Sequence, residues 1–436
     1  MTGFTGEWRY NVREEHNFNR EVLEMSKKGF AAVIFLLFLS ADELCAKARV
    51  LERKELSIPV RGSTEIHSAE LFIDNDNNTF VQINNFLRVN NKWIKIDEYG
   101  RCLNGFLKDS QLYMAFEKDG NIDVYKVKKD FELTSRVEII KRPNILWEGA
   151  GFERMFPVPG EDNSYFLQGK CSKFPTNPFE FLFCFTSGGH GIIYTKPIVA
   201  EIQNGKMLRY LKFRYGGKLD ESFIIKEAAE RKDSISFLGF RRLEEPAMGP
   251  RHPPQPVILY YADYNLEKRK VIRNHTLYED TARYDKNTDT RFDYGPLSMD
   301  NFGDDVFIVF SWCGSGGWST KGFDIKEIKS DIYYWQCSNG RFGDIEKIAE
   351  GFSPVVRTDF FGNVHVIWVD GDGVFFHKMR KDGGWSEAET ILSDADICPS
   401  TAVYGGISAE FDKDNNLNII YPSNDNLLIY AKVKPD

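Results

Sequence analysis

Two long polar loops carry side chains whose chemistry suits ligand recognition. Trp318 lies in the Gly- and Ser-rich segment 313–322, where no neighbouring apolar pattern offers it a packing site. An indole in such a loop can stack on a sugar ring or on another flat apolar surface. It can equally fold back over its own strands, and the sequence leaves both interpretations open.

The other loop, 241–256, is rich in basic groups. Its candidates for contact with an acidic ligand through charge-assisted hydrogen bonds are Arg241, Arg242, Arg251 and His252. Glu244 and Glu245 lie in the same loop and offer these groups an alternative pairing without a ligand. A third long loop, 171–178, contains no comparable cluster of charge.

No motif in the chain fixes an enzymatic mechanism. It lacks a Walker loop, a dinucleotide fingerprint and a Gly-x-Ser-x-Gly segment. Hydrolysis by two or three carboxylates around a cavity requires only that the fold bring Asp and Glu together, and the chain has 64 acidic residues. The catalytic residues of such a site therefore stay unassigned at this stage.

Three Asx-rich segments look like fragments of calcium loops: 74–78, 285–289 and 412–416. None has the later bidentate Glu of a complete loop at the expected place. Asp and Asn also bond the backbone of their own turn, so turns without a metal are the favoured interpretation. No C-x-x-C pair or Cys/His cluster indicates another metal site. The sequence predicts no cofactor, with calcium as the weaker alternative.

Short runs rich in Val, Ile, Phe, Tyr and Trp, separated by Gly, Asp and Asn turns, predict an all-β protein. A unit repeats, because segment 359–367 aligns with 412–420, and segments 74–83 and 300–308 are close to both. Units of four antiparallel strands are typical of β-propeller blades. The predicted blades are 67–102, 103–143, 146–218, 219–280, 290–351, 352–395 and 403–436. A tandem β-sandwich is the structural alternative.

The last of these seven units lacks a clear fourth strand. A strand from segment 50–66 is expected to complete it and to close the ring. In such a ring the three long loops would lie on one rim, so a binding surface is predicted there. The segment that leads into the fifth inner strand adds candidates near the central opening, namely Arg291, Asp293 and Tyr294.

The segment Asp382-Gly383-Gly384-Trp385 resembles the Asp-box, or BNR repeat, of sialidase-like propellers. Asp382, Gly383 and Trp385 match that motif in type and location, although its Ser/Thr is absent and the spacing is shorter. The resemblance implies a propeller fold and a stabilising role for these three residues. The arginine motif that sialidases have near the start of the domain is missing here, which argues against sialidase activity. Segment 153–157, in a later blade, resembles that motif only weakly.

The N-terminal region has the elements of a secretory signal in order. Lys27 and Lys28 precede the apolar run 29–39, and Ala46-Lys47-Ala48 resembles a cleavage site. The run is too short to span a bilayer, which needs ~20 apolar residues. We expect a signal peptide at 25–48 that starts at Met25, an upstream translation artefact or a disordered segment at 1–24, and a single mature domain at 49–436, secreted or periplasmic. A buried or amphipathic N-terminal helix is the alternative.

Six cysteines follow the signal segment, an even number that permits disulfides after export. Two pairs flank strand-loop-strand units and are the first expected bridges: Cys171 with Cys184, and Cys313 with Cys337. Free buried thiols are the alternative.

The sequence thus predicts an exported propeller that binds a carbohydrate or another cell-envelope component without chemistry. A glycan-active hydrolase or lyase on the same fold is one alternative, and a protein-interaction platform is another. The net charge of −8 and the lack of a basic block exclude a nucleic-acid partner. The sequence makes no prediction about oligomeric state.

Overall fold

The structure is a computed structural model. It describes residues 48–57, 69–119, 121–128, 133–141, 152–173, 194–211, 213–215, 218–220, 223–242, 255–285, 290–292, 294–315, 318–319, 329–393, 395, 397, 406–423 and 427–435. The chain divides into two compact units, Met1–Arg49 with Asp436, and Val50–Pro435. The predicted signal segment lies outside these residues except for Ala48. No helix within them is long and apolar enough to cross a membrane.

Antiparallel strands make up nearly all of the regular structure in the described ranges, together with one 3₁₀ turn, Asp97–Tyr99. In chain order the strands are β1 Arg49–Leu56; in blade 1, β2 Glu70–Ile73, β3 Thr79–Ile83, β4 Phe86–Val89 and β5 Lys92–Lys95; in blade 2, β6 Arg101–Lys108, β7 Gln111–Lys118, β8 Asn121–Val127 and β9 Leu133–Lys141; in blade 3, β10 Phe152–Pro157, β11 Ser164–Lys173, β12 Tyr194–Gln203 and β13 Lys206–Tyr210; then the hairpin β14 Phe213–Tyr215 and β15 Lys218–Asp220.

The remaining blades follow the same order of strands, with additions. They are, in blade 4, β16 Phe223–Arg231, β17 Ser234–Arg242, β18 Gln255–Asn265 and β19 Lys270–Asp285, extended by β20 Thr290–Phe292; in blade 5, β21 Tyr294–Phe302, β22 Asp305–Ser315, then β23 Trp318–Ser319, which pairs with β20, β24 Lys329–Ser338, β25 Arg341–Phe342 and β26 Glu346–Glu350; in blade 6, β27 Phe352–Thr358, β28 Val364–Val369, β29 Phe375–Lys381, β30 Gly384–Trp385 and β31 Glu389–Leu392; and in blade 7, β32 Ser408–Phe411, β33 Leu417–Pro422 and β34 Leu428–Lys434.

The predicted propeller of about seven four-stranded blades is confirmed. The predicted closure of the ring is confirmed too, because β1 pairs with β34 as the outer strand of blade 7. In blades 5 and 6 the outer strand is split in two, so that β25 and β26 both pair with β24, while β30 and β31 both pair with β29.

The apolar core lies between neighbouring blades. One cluster joins Phe80 and Leu87 of blade 1 to Met114 and Phe116 of blade 2, and equivalent clusters join later pairs. Another joins blade 7 to blade 1. A central strand therefore buries both of its faces, which is why β28 and β33 are buried throughout and their sequences lack strict apolar–polar alternation.

Asx turns join the first two strands of several blades. In segment 74–78 the carboxylate of Asp74 accepts hydrogen bonds from the backbone N–H groups of Asp76, at 2.9 Å, and Asn78, at 2.8 Å. Asp359 and Asp412 repeat this geometry. The acidic groups of two of the calcium-like fragments thus bond their own turns, whereas residues 286–289 of the third lie outside the described ranges. Within those ranges no His, Cys, Asp and Glu group is arranged to hold a metal ion.

The expected Cys313–Cys337 disulfide is not formed. Cys337 is buried with a free thiol. In the pairing of β22 with β24, Cys337 lies opposite Val306, and Trp312 lies opposite Asp331. Cys313 lies seven residues along β22 from Val306, so at ~3.4 Å per residue this register separates Cys313 from Cys337 by about 24 Å, far beyond the ~7 Å limit for a bridge. The Cys171 side chain and Cys184 lie outside the described part of the chain.

The Asp-box-like residues lie on the hairpin that leaves β29. Asp382 and Gly383 adopt positive φ angles of 50° and 82° in the turn. The Trp385 ring packs edge-on against Tyr334 of blade 5, with 4.9 Å between ring centroids. Arg380 lies over both rings.

Candidate functional site

The inner strands of all seven blades surround an axial cavity of about 580 Å³. These strands are β2, β6, β10, β16, β21, β27 and β32. They place seven charged side chains on the cavity wall at the level of the strands, not in the long loops. These are Glu70, Arg154, Glu227, Glu230, Asp300, Arg357 and Glu410.

β-Bulges shape five of the inner strands. A bulge adds an unpaired residue and redirects the side chains that follow it, and bulges are frequent beside active sites. Three of them directly precede Asn104, Arg154 and Glu227, which all line the cavity. The other two lie between Tyr294 and Leu297 and between Phe352 and Val355.

Each inner strand is also a sheet edge, whose unpaired N–H groups need acceptors. Polar side chains of the preceding blade accept several of these bonds. Asn104 Oδ1 accepts from Met155 N at 2.8 Å, and Ser408 Oγ accepts from Leu71 N at 3.2 Å. Asn104 also donates to the Met155 carbonyl at 2.9 Å. The cavity wall is therefore fixed by hydrogen bonds from blade to blade.

Arg357 is the centre of the largest group of charged side chains. Its Nε donates to Glu410 Oε1 at 2.9 Å, and its Nη1 donates to Ser298 Oγ at 3.2 Å. Ser298 Oγ accepts a second bond, from Val356 N at 3.3 Å. Three blades thus meet at this guanidinium, because Ser298 belongs to blade 5, Arg357 to blade 6 and Glu410 to blade 7.

Further contacts hold two other acidic groups of the wall, Asp300 and Glu70. Asp300 Oδ2 accepts from Thr358 N at 2.6 Å and from Thr358 Oγ1 at 2.8 Å. Across the cavity, Arg154 Nη2 donates to Glu70 Oε1 at 3.3 Å, and Arg154 also donates to the Lys226 carbonyl. Glu227 has no hydrogen bond of this kind within the described residues.

The electrostatics of the cavity favour protonated carboxyl groups. Burial raises the pKa of Glu227, and the positive charges of Arg154 and Arg357 offset only part of that shift. Burial likewise raises the pKa of Glu410 and of Asp300 against the charge of Arg357. Burial lowers the pKa of Arg357, but Glu410 and the other two carboxylates outweigh burial, so the guanidinium stays charged.

Such an arrangement can carry out acid–base chemistry. A carboxyl group whose pKa is raised can act as a proton donor, and a neighbouring carboxylate held by an arginine can act as base or nucleophile. Phe72 and Phe156 add apolar surface to the wall, beside the hydroxyl groups of Ser298, Ser353 and Ser408.

The rim residues predicted from sequence lie elsewhere. The structure pairs Arg291 of β20 with Trp318 of β23 as cross-strand neighbours, and Tyr294 with Trp312. Arg241 and Arg242 end β17. Among the predicted residues, five have side chains outside what the structure describes, namely Arg241, Arg242, Arg291, Tyr294 and Trp318. Arg251, His252 and Asp293 lie outside the described residues altogether. Their role in binding stays a prediction.

Sequence analysis missed the charged wall, although a signal was present. In the aligned repeats, Arg357 precedes the turn residue Asp359 by two positions, and Glu410 precedes Asp412 by the same interval. A charged residue at this point of an otherwise apolar inner strand marks the cavity. The segment 153–157, which resembles the arginine motif of sialidases only weakly, contains Arg154.

No protein-family model and no curated protein matches the sequence. Among solved structures, an alpha-L-arabinofuranosidase mutant from Fusarium graminearum with an iminosugar inhibitor is 10% identical, with a TM-score of 0.43; 89% of this chain and 98% of that chain are covered. An alpha-L-arabinanase from Penicillium chrysogenum with arabinobiose is 10% identical, covers 88% and 98%, and has a TM-score of 0.42. Hydrazine synthase from Kuenenia stuttgartiensis is 8% identical, covers 87% and 99%, and has a TM-score of 0.44. Sequence identities of 10% or less and TM-scores below 0.5 support no statement about the activity of this chain.

Proposed function

We propose that the axial cavity is a glycan-hydrolysing site in which Glu227 is the general acid and Glu410 is the second carboxylate. The observation that carries the proposal is the meeting of these two groups in one cavity, with Arg357 bonded to Glu410. Glycoside hydrolysis requires two such groups in different protonation states.

Glu227 suits the acid role because burial favours its protonated form and no described residue forms an ion pair with it. A protonated carboxyl group can donate its proton to the glycosidic oxygen as the bond to the anomeric carbon breaks. The bulge before Glu227 turns this side chain towards the cavity.

Glu410 suits the second role because it is paired with Arg357: burial raises the pKa of Glu410, and the bonded guanidinium opposes that rise, whereas Glu227 has no ion-pair partner among the described residues. As a carboxylate it either attacks the anomeric carbon or takes a proton from the attacking water. The first route retains the configuration of the product, and the second inverts it. The anomer formed first, observed by NMR, distinguishes the two routes.

The wall also supports a sugar as the ligand. A sugar offers hydroxyl groups for polar side chains and C–H faces for aromatic ones. The cavity supplies both, with the hydroxyl groups of Ser298 and Ser408 as polar partners and Phe72 and Phe156 as apolar surface.

The test is release of reducing ends from a panel of polysaccharides and aryl glycosides. We expect the wild type to cleave at least one of them. Glu227→Gln and Glu410→Gln should each reduce that rate by about 10² or more. Glu387→Gln is the matched control, because Glu387 is exposed on blade 6. Full activity in Glu227→Gln would contradict the assignment.

Binding without chemistry is the second candidate. It is favoured by the two ion pairs, Arg154–Glu70 and Arg357–Glu410, which occupy both arginines of the cavity and form a fixed set of donors and acceptors. In that case calorimetry would detect a glycan that remains intact after long incubation. Glu227→Gln would then bind it about as well as the wild type.

A further inference from the structure

Blade 6 contains a chain of four ionisable side chains, none of which lines the axial cavity. The chain consists of Asp359, His365, His377 and Glu389. Both imidazoles are almost fully buried, with 2% and 1% of their surfaces exposed. Two buried histidines enclosed by two carboxylates are an arrangement that packing alone does not require.

The contacts run in sequence through the blade. His365 Nδ1 lies 2.8 Å from His377 Nε2, and His377 Nδ1 lies 2.6 Å from Glu389 Oε1. At the other end, His365 Nε2 faces Asp359 Oδ2 at 3.4 Å and makes no hydrogen bond. The two rings are nearly parallel, with centroids 5.0 Å apart.

A count of protons shows that the contact between Asp359 and His365 lacks one. The chain has three contacts, Asp359–His365, His365–His377 and His377–Glu389, and each needs one proton. Two neutral imidazoles supply two protons in total. With both protons on Nδ1, the contact between His365 and Asp359 has none, which agrees with its length. A single further proton, taken from water onto His365 Nε2, would complete the third bond and leave a positive imidazolium there.

Asp359 links this contact to blade 7. Its Oδ2 already accepts from Asn363 Nδ2 at 2.7 Å and from Asn415 Nδ2, in blade 7, at 3.3 Å. Asn415 Oδ1 in turn accepts from Phe360 N at 3.3 Å. A new donor on His365 would compete for the same oxygen, and the longer bond from Asn415 is the one it would displace.

The surroundings of His365 include few other charges. From blade 7, Phe411 packs on its ring, with centroids 4.7 Å apart. The two residues that flank Phe411 are charged, and each forms an ion pair, Glu410 with Arg357 and Asp412 with Lys432. Within blade 6 the ionisable groups that face the ring are those of the chain itself.

We propose that this chain is an acid-sensitive latch between blades 6 and 7. At neutral pH it holds two protons and Asp359 bonds Asn415. In mild acid His365 takes up a third proton, Asp359 turns to it, and the Asn415 contact weakens. The proposal is independent of any hydrolytic activity in the cavity.

Acid should also lower the stability of the protein against unfolding, as it weakens the contact between blades 6 and 7. Burial and the neighbouring His377 lower the pKa of His365 from 6.5 to about 4. The unfolded chain therefore takes up this proton first as pH falls below about 6.5. The stability that a neutral His365 provides is complete above that pH, and it decreases as pH falls towards about 4. The unfolding equilibrium constant should rise up to ~10-fold per pH unit in this window through this group alone.

The first test is ¹⁵N NMR of histidine-labelled, full-length wild type between pH 7.5 and pH 4. We expect the His365 imidazole to be neutral at pH 7 and to gain a proton below about pH 5 in the folded protein. Titration of His365 near 6.5, or unfolding before any imidazole shift, would overturn the proposal.

The second test follows hydrogen exchange of the Phe360 amide, with the Met155 amide at the junction of blades 2 and 3 as internal reference. Between pH 7 and pH 4.5 we expect the protection of Phe360 to fall at least ~10-fold relative to Met155. His365→Gln, which can bond both neighbours but takes up no proton, should remove this change. His275→Gln, a histidine of blade 4 that packs on Phe342, should leave it intact. Equal behaviour of the two amides, or an unchanged effect in His365→Gln, would contradict the latch.

Discussion

Arg357 and His365 are cross-strand partners in blade 6. The guanidinium that bonds Glu410 in the axial cavity and the imidazole of the buried proton chain therefore belong to the same rung of the sheet. Both side chains contact blade 7, Arg357 through Glu410 and His365 through Phe411. The junction between blades 6 and 7 thus connects the charged cavity to the histidine pair.

The bulge that orients Glu227 depends on a glycine in the neighbouring strand. Gly239 pairs with Ile225 beside the bulge, and a Cβ atom on Gly239 would lie 2.0 Å from the Ile224 carbonyl oxygen. Gly239→Ala should therefore cost about 1–3 kcal/mol in the free energy of unfolding, measured with urea, and displace Glu227. Gly384→Ala, whose added Cβ would meet nothing nearer than 3.9 Å, is the control. Equal stability of the two variants would contradict the steric argument.

Asn104 should be a strong determinant of the junction between blades 2 and 3. Asn104→Ala removes partners from both the N–H and the carbonyl group of Met155, which are buried. Unsatisfied buried groups of this kind cost ~1–3 kcal/mol each. We expect a loss of about 2–4 kcal/mol in urea denaturation. Asn75→Ala, at an exposed turn position, should change stability by less than ~0.5 kcal/mol. A small effect in Asn104→Ala would show that water replaces the lost bonds.

Replacing Arg357 should destabilise the protein and change the titration of Glu410. In Arg357→Met the Glu410 carboxyl loses its positive partner, so its pKa should rise further. We expect a loss of about 1–3 kcal/mol at pH 7, because three acidic groups, Glu410, Asp300 and Glu227, are left without that cation. Urea denaturation at pH 7 and pH 4.5 measures both effects, since the loss should be smaller at the lower pH. Arg341→Met, at an exposed position, is the control.

Glu227 should limit stability at neutral pH. A carboxyl group whose pKa is raised by folding binds its proton more tightly in the folded state. Stability is therefore highest below the unfolded pKa of about 4.3 and decreases as pH rises towards the folded value. Glu227→Gln removes this penalty, so its unfolding free energy should exceed that of the wild type by ~1 kcal/mol at pH 7 and match it near pH 4. A variant less stable at both values would contradict the sign.

The fold could be predicted because each blade repeats a short local sequence pattern. The Asp359 and Asp412 turns recur in sequence, and the apolar strands after them mark the blades. The charged cavity could not be predicted, because Glu70, Glu227 and Glu410 come from blades 1, 4 and 7 and meet only once the ring closes. The Cys313–Cys337 pairing failed for a related reason. Proximity to a common loop in sequence does not fix strand register, and here the register separates the two thiols.

The strand that completes blade 7, β1, comes first in chain order among the described strands. β1 finds its partner β34 only after some 370 further residues have been made, so the final sheet cannot assemble while the chain is still growing. A product that stops before Leu428 would leave Arg49–Leu56 without its hydrogen-bonding neighbour and expose the apolar faces of blades 1 and 6. Blade 7 can therefore be completed only in a chain that contains both Arg49–Leu56 and Leu428–Lys434.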